Sequence, residues 1–342
     1  MDNIYYDLKN LNDCELLEVI KDNHNSVLLS ELADKVRREE YGNKVYIRGL
    51  IEFTNYCKNN CFYCGLRRDN KLVERYRLSK DDILSCCIEG YKSGFRTFVL
   101  QGGEDPYFSD KILCDIVFSI KSLFPDCAVT LSVGEKEKES YKAYKNAGAD
   151  RYLLRHETAC GEHYAKLHPK EMHYNNRVRC LYDLKDLGFQ VGAGFMVGSP
   201  FQTLENIVED IRFMQKLQPD MIGIGPYLTQ KDTPFSEFKN GNLELTIKLL
   251  SIVRILFPKV LLPATTALAT LAENGRETAL KSGANVLMPN LSPSEKRAKY
   301  AIYDNKLSIG GESAEKLQEL KKSVSDIGYE IVCDRGDAKT IE

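Results

Sequence analysis

Residues 46–70 read YIRGLIEFTNYCKNNCFYCGLRRDN, and this stretch falls into two halves of different character. Tyr46 to Thr54 is a run of β-branched, aromatic and aliphatic residues, the composition of a strand. Asn55 to Asn70 is polar and carries Cys57, Cys61 and Cys64. A strand that empties into a polar loop is the opening of a βα unit, and the chain beyond it repeats that rhythm. Helical periodicity covers Asp81 to Ser93, with Ser79 and Asp82 spaced as a capping box. A strand pattern follows at Thr97 to Gly102, and the alternation continues with strands at Ala128–Gly134, Arg151–Glu157, Gln190–Val197, Met221–Tyr227, Val260–Ala267 and Asn285–Pro289. Helical patterns lie between them, at Asp110–Leu123, Asn176–Leu187 and Leu204–Leu217 among others. Gly148, Gly188 and Gly283 stand where helix C-caps would feed buried strands.

Eight strand-then-helix units in succession predict an α/β fold, a (β/α)8 TIM-type barrel over residues 46–290. Residues 1–45 read as an N-terminal helical extension and 291–342 as a C-terminal helical tail with a mobile end. Reaction sites of such barrels form at the C-terminal ends of the strands. The loops that matter are therefore the cysteine loop after strand one, QGGEDP after strand two, HETAC after strand four, GSPFQT after strand five and PYLTQKDTP after strand six.

The 342 residues carry 47 Lys plus Arg against 49 Asp plus Glu, a net charge of −2. That balance supplies no broad cationic field for nucleic acid or an anionic membrane. With 43% hydrophobic and 28% charged residues the chain reads as globular and not disordered. It lacks a run of about 20 apolar residues and opens on a polar segment, so a cytoplasmic location is expected. Eleven cysteines, an odd number in a large chain, argue against a disulfide framework. Cys14, Cys86, Cys87, Cys114, Cys127, Cys180 and Cys333 are scattered and read as buried small hydrophobes.

Side chains alternate along a strand, so Arg151, Leu153, Arg155 and Glu157 share one face, and Arg48, Leu50 and Glu52 another. Thr130 pairs in parity with Ser132, and Val99 with Gln101. Either these faces line a polar lumen, or they point outward or form an ion-pair lattice, since buried pairs can be energetically neutral. Two arginines and a glutamate ending at a ligand-binding loop favour a lumen for an anionic or zwitterionic ligand. Arg48, Thr130, Ser132, Arg151, Thr265 and Thr266 are its candidate substrate-binding residues. His156 has the opposite parity from Glu157 and reads as a packing residue.

The spacing Cys-x3-Cys-x2-Cys places three thiolates on one short loop, enough for three corners of an iron–sulfur cube with the fourth unligated. Structural zinc would need a fourth ligand, which the loop lacks. This motif, with Tyr63 directly before its last cysteine, resembles that of the radical S-adenosylmethionine superfamily. The resemblance implies that Cys57, Cys61 and Cys64 hold a 4Fe-4S cluster, and that the open iron chelates S-adenosylmethionine and cleaves it to a 5′-deoxyadenosyl radical. It also implies that Gly102, Gly103 and Glu104 in LQGGEDP meet the methionine moiety and that Gln101 beside them binds the cofactor. Arg155, Glu157 and Arg177 would then meet the ribose and carboxylate, Ile224 to Pro226 and Met196 the adenine edge, and Tyr63 would also contact the cofactor.

Longer strings, LQGGEDPY, ADRYLLRHETA, GAGFMVGSPFQT, MIGIGPY, LPATTALAT and GANVLMPN, closely resemble the HydE family of FeFe-hydrogenase maturases. Biotin synthase and methylornithine synthase are related. The resemblance implies an iron–cysteine–carbon monoxide–cyanide substrate, the maturases HydG and HydF as partners, and a flavodoxin or ferredoxin as reductant. Many HydE proteins carry a second cluster on three C-terminal cysteines; this chain has only Cys333 there, so that cluster is expected to be absent. The alternatives are a methylornithine synthase-like or biotin synthase-like enzyme, or a non-catalytic iron–sulfur carrier.

Overall fold

The computed structural model describes residues 8–306 and 316–341. The predicted first strand is present in two pieces, β1 (Lys44–Ile47) and β2 (Gly49–Thr54), separated at Arg48. Then come β3 (Thr97–Gly102), β4 (Ala128–Ser132), β5 (Arg151–Leu153), β6 (Gln190–Ala193), β7 (Met196–Val197), β8 (Met221–Ile222), β9 (Gly225–Pro226), β10 (Val286–Leu287) and β11 (Glu330–Val332). A six-stranded parallel sheet runs β2-β3-β4-β5-β6-β8. Single bridges carry the ring onward from Met221 to Leu261 and from Pro263 to Val286, and β10 pairs with β1. The barrel is thus a closed circuit, as the βα rhythm requires.

Its seventh strand is the weak one. Pro263 has no N–H to give, so pairing there rests on Leu262, whose carbonyl accepts the Asn285 and Val286 amides at 2.9 and 3.1 Å. The Asn285 side chain accepts the Leu262 amide at 2.9 Å.

Helices cover the ring outside. Leu204–Leu217 begins at Thr203, whose hydroxyl and Asn206 form a reciprocal cap, and Lys80–Lys92 begins at the predicted Ser79–Asp82 box. The N-terminal extension contributes helices Asp13–Lys21 and Ser26–Tyr41. The second packs on Leu243–Leu256, a helix buried on nearly every face. Lys248 reaches from that helix to the Ile20 and Asp22 carbonyls, both at 2.9 Å, and so stops the first helix with a buried cation.

The expected helical tail beyond residue 291 is only partly helical. Helix Leu317–Asp326 is followed by β11, which lies parallel to β1 with Lys44 opposite Glu330. The chain then passes beneath the N-terminal end of the barrel, where Arg151 fixes it. The Arg151 guanidinium donates to the Arg335 carbonyl at 2.8 Å, the Gly336 carbonyl at 3.1 Å and Asp337 Oδ1 at 2.7 Å. Among the described residues no helix is long and apolar enough to cross a membrane. Of the scattered cysteines, Cys86, Cys87, Cys127 and Cys180 are buried and Cys114 is half-buried, whereas Cys14 and Cys333 are exposed, contrary to expectation. Both lie outside the sheet-and-helix core that shields the others.

Candidate active site

At the C-terminal ends of the strands the barrel opens into a chamber of about 360 Å³. Its floor and walls include Leu50, Glu52, Gln101, Leu153, Arg155 and Glu157, and the cysteine loop contributes Cys61, Tyr63 and Cys64. Parity therefore sorts the strand faces correctly. Glu157 points inward while His156, one residue earlier, points out to helix Leu204–Leu217. There its Nε2–H donates to Asp210 at 3.2 Å and its Nδ1 accepts the Gly194 amide at 3.3 Å. Burial holds the His156 imidazole down at about 3, so it is neutral.

The cysteine loop is held in place by close backbone approaches. A Cβ on Gly103 would lie 2.2 Å from the Tyr56 carbonyl oxygen and 2.7 Å from Cys57 Cβ, so only glycine lets the end of β3 lie against the first cysteine. Gly102 meets Thr54 in the same way. Glu104, which follows, does not line the chamber. It turns outward, accepts the Glu135 amide at 3.0 Å and pairs with Lys58 at 3.3 Å. Its part is to join the first three βα loops.

Burial pushes all three thiols of the loop up, Cys64 to about 12, and Cys61 is raised further by Cys64 and Cys57 beside it. Three desolvated thiols that repel one another as thiolates are the donor set a polynuclear cation would satisfy. Among the described residues no three His, Cys, Asp or Glu side chains converge tightly enough to share one ion. Three thiols on one short loop, with Cys61 and Cys64 at the chamber, fit a cluster that gives each thiolate its own iron.

Tyr63 lines the chamber from the same loop. Its hydroxyl donates to His168 Nε2 at 3.2 Å, and His168 Nδ1–H is committed to the Tyr164 carbonyl at 2.9 Å. The imidazole also stacks on Tyr164, with ring centroids 3.9 Å apart. Also in the chamber wall, Arg155 Nη2 and Glu157 Oε2 form an ion pair at 3.1 Å, and neither they nor Arg155 Nε has a hydrogen-bond partner. Glu157 is in the left-handed region, φ 67°, where a glutamate is strained. Thr265 and Thr266 line the chamber, and the buried Thr265 hydroxyl is unpartnered.

Other expectations are corrected. Arg177 is buried between Arg155 and the cysteine loop: its guanidinium donates to Glu135 and to the Arg155 carbonyl, both at 2.5 Å, and its charge acts on Cys61 and Tyr63, although its side chain is not part of the chamber lining. Of the expected adenine edge, Ile224 is fully buried in the hydrophobic core, whereas Gly225, Pro226 and Met196 line the chamber. Arg151 is occupied by the C-terminal segment at the barrel base. Arg48 and Thr130 lie beside Arg151 in a separate small cavity at that end, with Arg48 Nε and Nη2 and the Thr130 hydroxyl unpartnered. Ser132 lines neither cavity. Strand parity groups these side chains by face but is silent on which end of the barrel each occupies.

One feature of the chamber has no signal in the loop motifs. Lys306, from the segment beyond residue 291, lines the chamber with Ile302 and Tyr303. Its ammonium pairs with Glu52 Oε1 at 2.6 Å, and Asn290 Nδ2 donates to Glu52 Oε2 at 2.8 Å. The segment is tied to the cysteine loop, because the Gly65 amide donates to the Ile302 carbonyl at 3.0 Å and Asn55 Nδ2 to the Lys299 carbonyl at 2.7 Å.

Residues 51–214 match the family model of the Radical SAM superfamily. Over 313 residues the chain is 44% identical to FeFe hydrogenase maturase subunit HydE of Thermotoga maritima, which covers 92% of this chain and 89% of that one. It is 29% identical over 301 residues to 3-methylornithine synthase of Methanosarcina acetivorans, covering 87% and 83%. Among solved structures it is similar to methylornithine synthase, with TM-score 0.86 at 26% identity over 97% of this chain and 96% of that one. It shares its fold with the FeFe-hydrogenase maturase HydG from Carboxydothermus hydrogenoformans, with TM-score 0.81 at 20% identity over 96% and 78%.

Proposed function

The chain belongs to the HydE family of radical SAM enzymes, and from that premise we propose how its residues divide the work. It is an enzyme of FeFe-hydrogenase maturation that uses a 4Fe-4S cluster and S-adenosylmethionine. Cys57, Cys61 and Cys64 would hold the cluster, which when bound supplies the electron that cleaves S-adenosylmethionine to a 5′-deoxyadenosyl radical.

The protein's own part is to bind, orient and exclude water. Tyr63, fixed by His168, offers a rigid aromatic edge beside the cysteines. The Arg155–Glu157 pair offers a cation for a carboxylate and an anion for hydroxyls or an ammonium, at a separation that lets each trade its partner for a ligand group. Gln101 and Met196 complete that wall. Thr265 and Thr266 face the rest of the cavity and would meet the substrate, an anionic iron complex with cysteine, carbon monoxide and cyanide delivered by a HydG-like maturase. HydF as acceptor and a flavodoxin or ferredoxin as donor complete the proposed set of partners.

The observation that carries this reading is a chamber lined at once by two of the motif cysteines and by the Arg155–Glu157 pair. Anaerobic reconstitution tests it. The expected result is about four irons and four sulfides per chain and reductive S-adenosylmethionine cleavage, both lost in Cys61→Ala; stoichiometric zinc, or a cluster without cleavage, would overturn it.

A further inference from the structure

The chamber holds two ion pairs, and the function above uses one. The second, Glu52 with Lys306, stands on a different strand and on the segment that crosses from residue 291. Glu52 is fully buried and its two oxygens are both taken, one by the Lys306 ammonium at 2.6 Å and one by Asn290 at 2.8 Å. It is also fixed through its backbone, since its amide donates to Ser292 Oγ at 2.7 Å and its carbonyl accepts from the Tyr76 hydroxyl at 2.7 Å. Each Glu52 oxygen therefore already has a donor from the protein. Lys306 is different. An ammonium has three N–H donors, and among the described residues the one hydrogen bond given to a side chain is that to Glu52. Its neighbour on another side is the Tyr300 ring, 5.3 Å from the ammonium to the centroid, which tolerates the charge without accepting a directed bond.

A lysine side chain only 8% exposed, held at a cavity wall by a carboxylate that Asn290 fixes from its other oxygen, is a positioned donor with capacity to spare. We propose that Lys306 forms a carboxylate subsite in the chamber: Glu52 and Asn290 hold the ammonium in place, and its remaining donors bind the carboxylate of an amino-acid ligand. Two ligands could bring that carboxylate, S-adenosylmethionine through its methionine end or the substrate through an amino-acid portion. Arg155 already offers the cofactor a cation on its own wall, so the substrate is the one assigned to Lys306. This rests on the chamber being the S-adenosylmethionine and substrate site.

The test is equilibrium binding to the cluster-loaded, oxidised enzyme, which cannot turn over. L-cysteine, titrated calorimetrically with S-adenosylmethionine present, is the substrate probe, and S-adenosylmethionine alone is the cofactor probe. In Lys306→Met, L-cysteine affinity should fall at least tenfold while S-adenosylmethionine affinity changes less than twofold, and Lys306→Arg should restore most of the loss. Glu52→Gln combined with Lys306→Met removes both charges and guards against a variant that misfolds around an unpaired carboxylate; it should bind S-adenosylmethionine normally and L-cysteine weakly. Unchanged L-cysteine binding in both variants, no L-cysteine binding by the wild type, or a parallel loss of S-adenosylmethionine would overturn the subsite. Wild-type protein that binds no S-adenosylmethionine would instead overturn the function beneath it.

Discussion

Single side chains decide what the chamber binds and how it answers to pH. Arg155 and Glu157 form an ion pair at 3.1 Å, yet Arg155 Nε and Nη2 and Glu157 Oε2 make no hydrogen bond, so a ligand that bonds to them satisfies buried polar groups that otherwise stand open. Glu157→Gln or Arg155→Leu should weaken S-adenosylmethionine binding about tenfold, roughly 1.4 kcal/mol, with iron content unchanged; equilibrium dialysis of the reconstituted protein measures both. Burial lowers the His168 pKa to about 3, so the folded state keeps it neutral while the unfolded chain protonates it near 6.5. The unfolded state then binds more protons between those values, and stability is lost as pH falls from about 6.5 toward 3, at up to roughly 1.4 kcal/mol per unit. His168→Gln, which has no proton to gain, should flatten that part of the melting curve against pH.

Elements set where those side chains stand. Gly103 lets the end of β3 touch the cysteine loop, and a methyl group there would press on the Tyr56 carbonyl and Cys57. Gly103→Ala should therefore lower iron loading several-fold while leaving the far-ultraviolet circular dichroism unchanged. Much of this scale could be read from the sequence. The helix starts at Ser79 and Thr203 are written in side chains three residues apart, and the alternation Arg155, His156, Glu157 sets His156 on the face away from its neighbours, without saying which face is inside. What could not be read is height in the barrel. Arg151 and Arg155 share a face, yet one seals the base and the other faces the ligand. Lys306 was equally hidden, because its partner is 254 residues away and no local pattern marks the pairing.

At the scale of the whole molecule the barrel is closed by residues from both ends of the described chain. β1 is held between β10 and β11, and the segment after β11 lies across the barrel base on Arg151. The Arg151 side chain is 4% exposed and donates to side chains of Thr97, Gln190 and Asp337 as well as to two carbonyls. Its loss leaves buried acceptors without donors, a cost of about 3 kcal/mol. Arg151→Met should lower the urea midpoint accordingly, and should make the segment around Arg335 the first to be cut in limited proteolysis; an unchanged midpoint would mean that the base does not depend on this clasp.

The pairing of Lys44 with Glu330 also fixes an order of events during synthesis. Strand β1 leaves the ribosome early and must wait with both edges bare until β10 is made, and with one bare until β11 can dock. Such a long-range closure is slow, and a bare edge invites pairing with the wrong chain. Production of the protein should therefore profit from slow translation at low temperature or from chaperones that shield the nascent half-barrel.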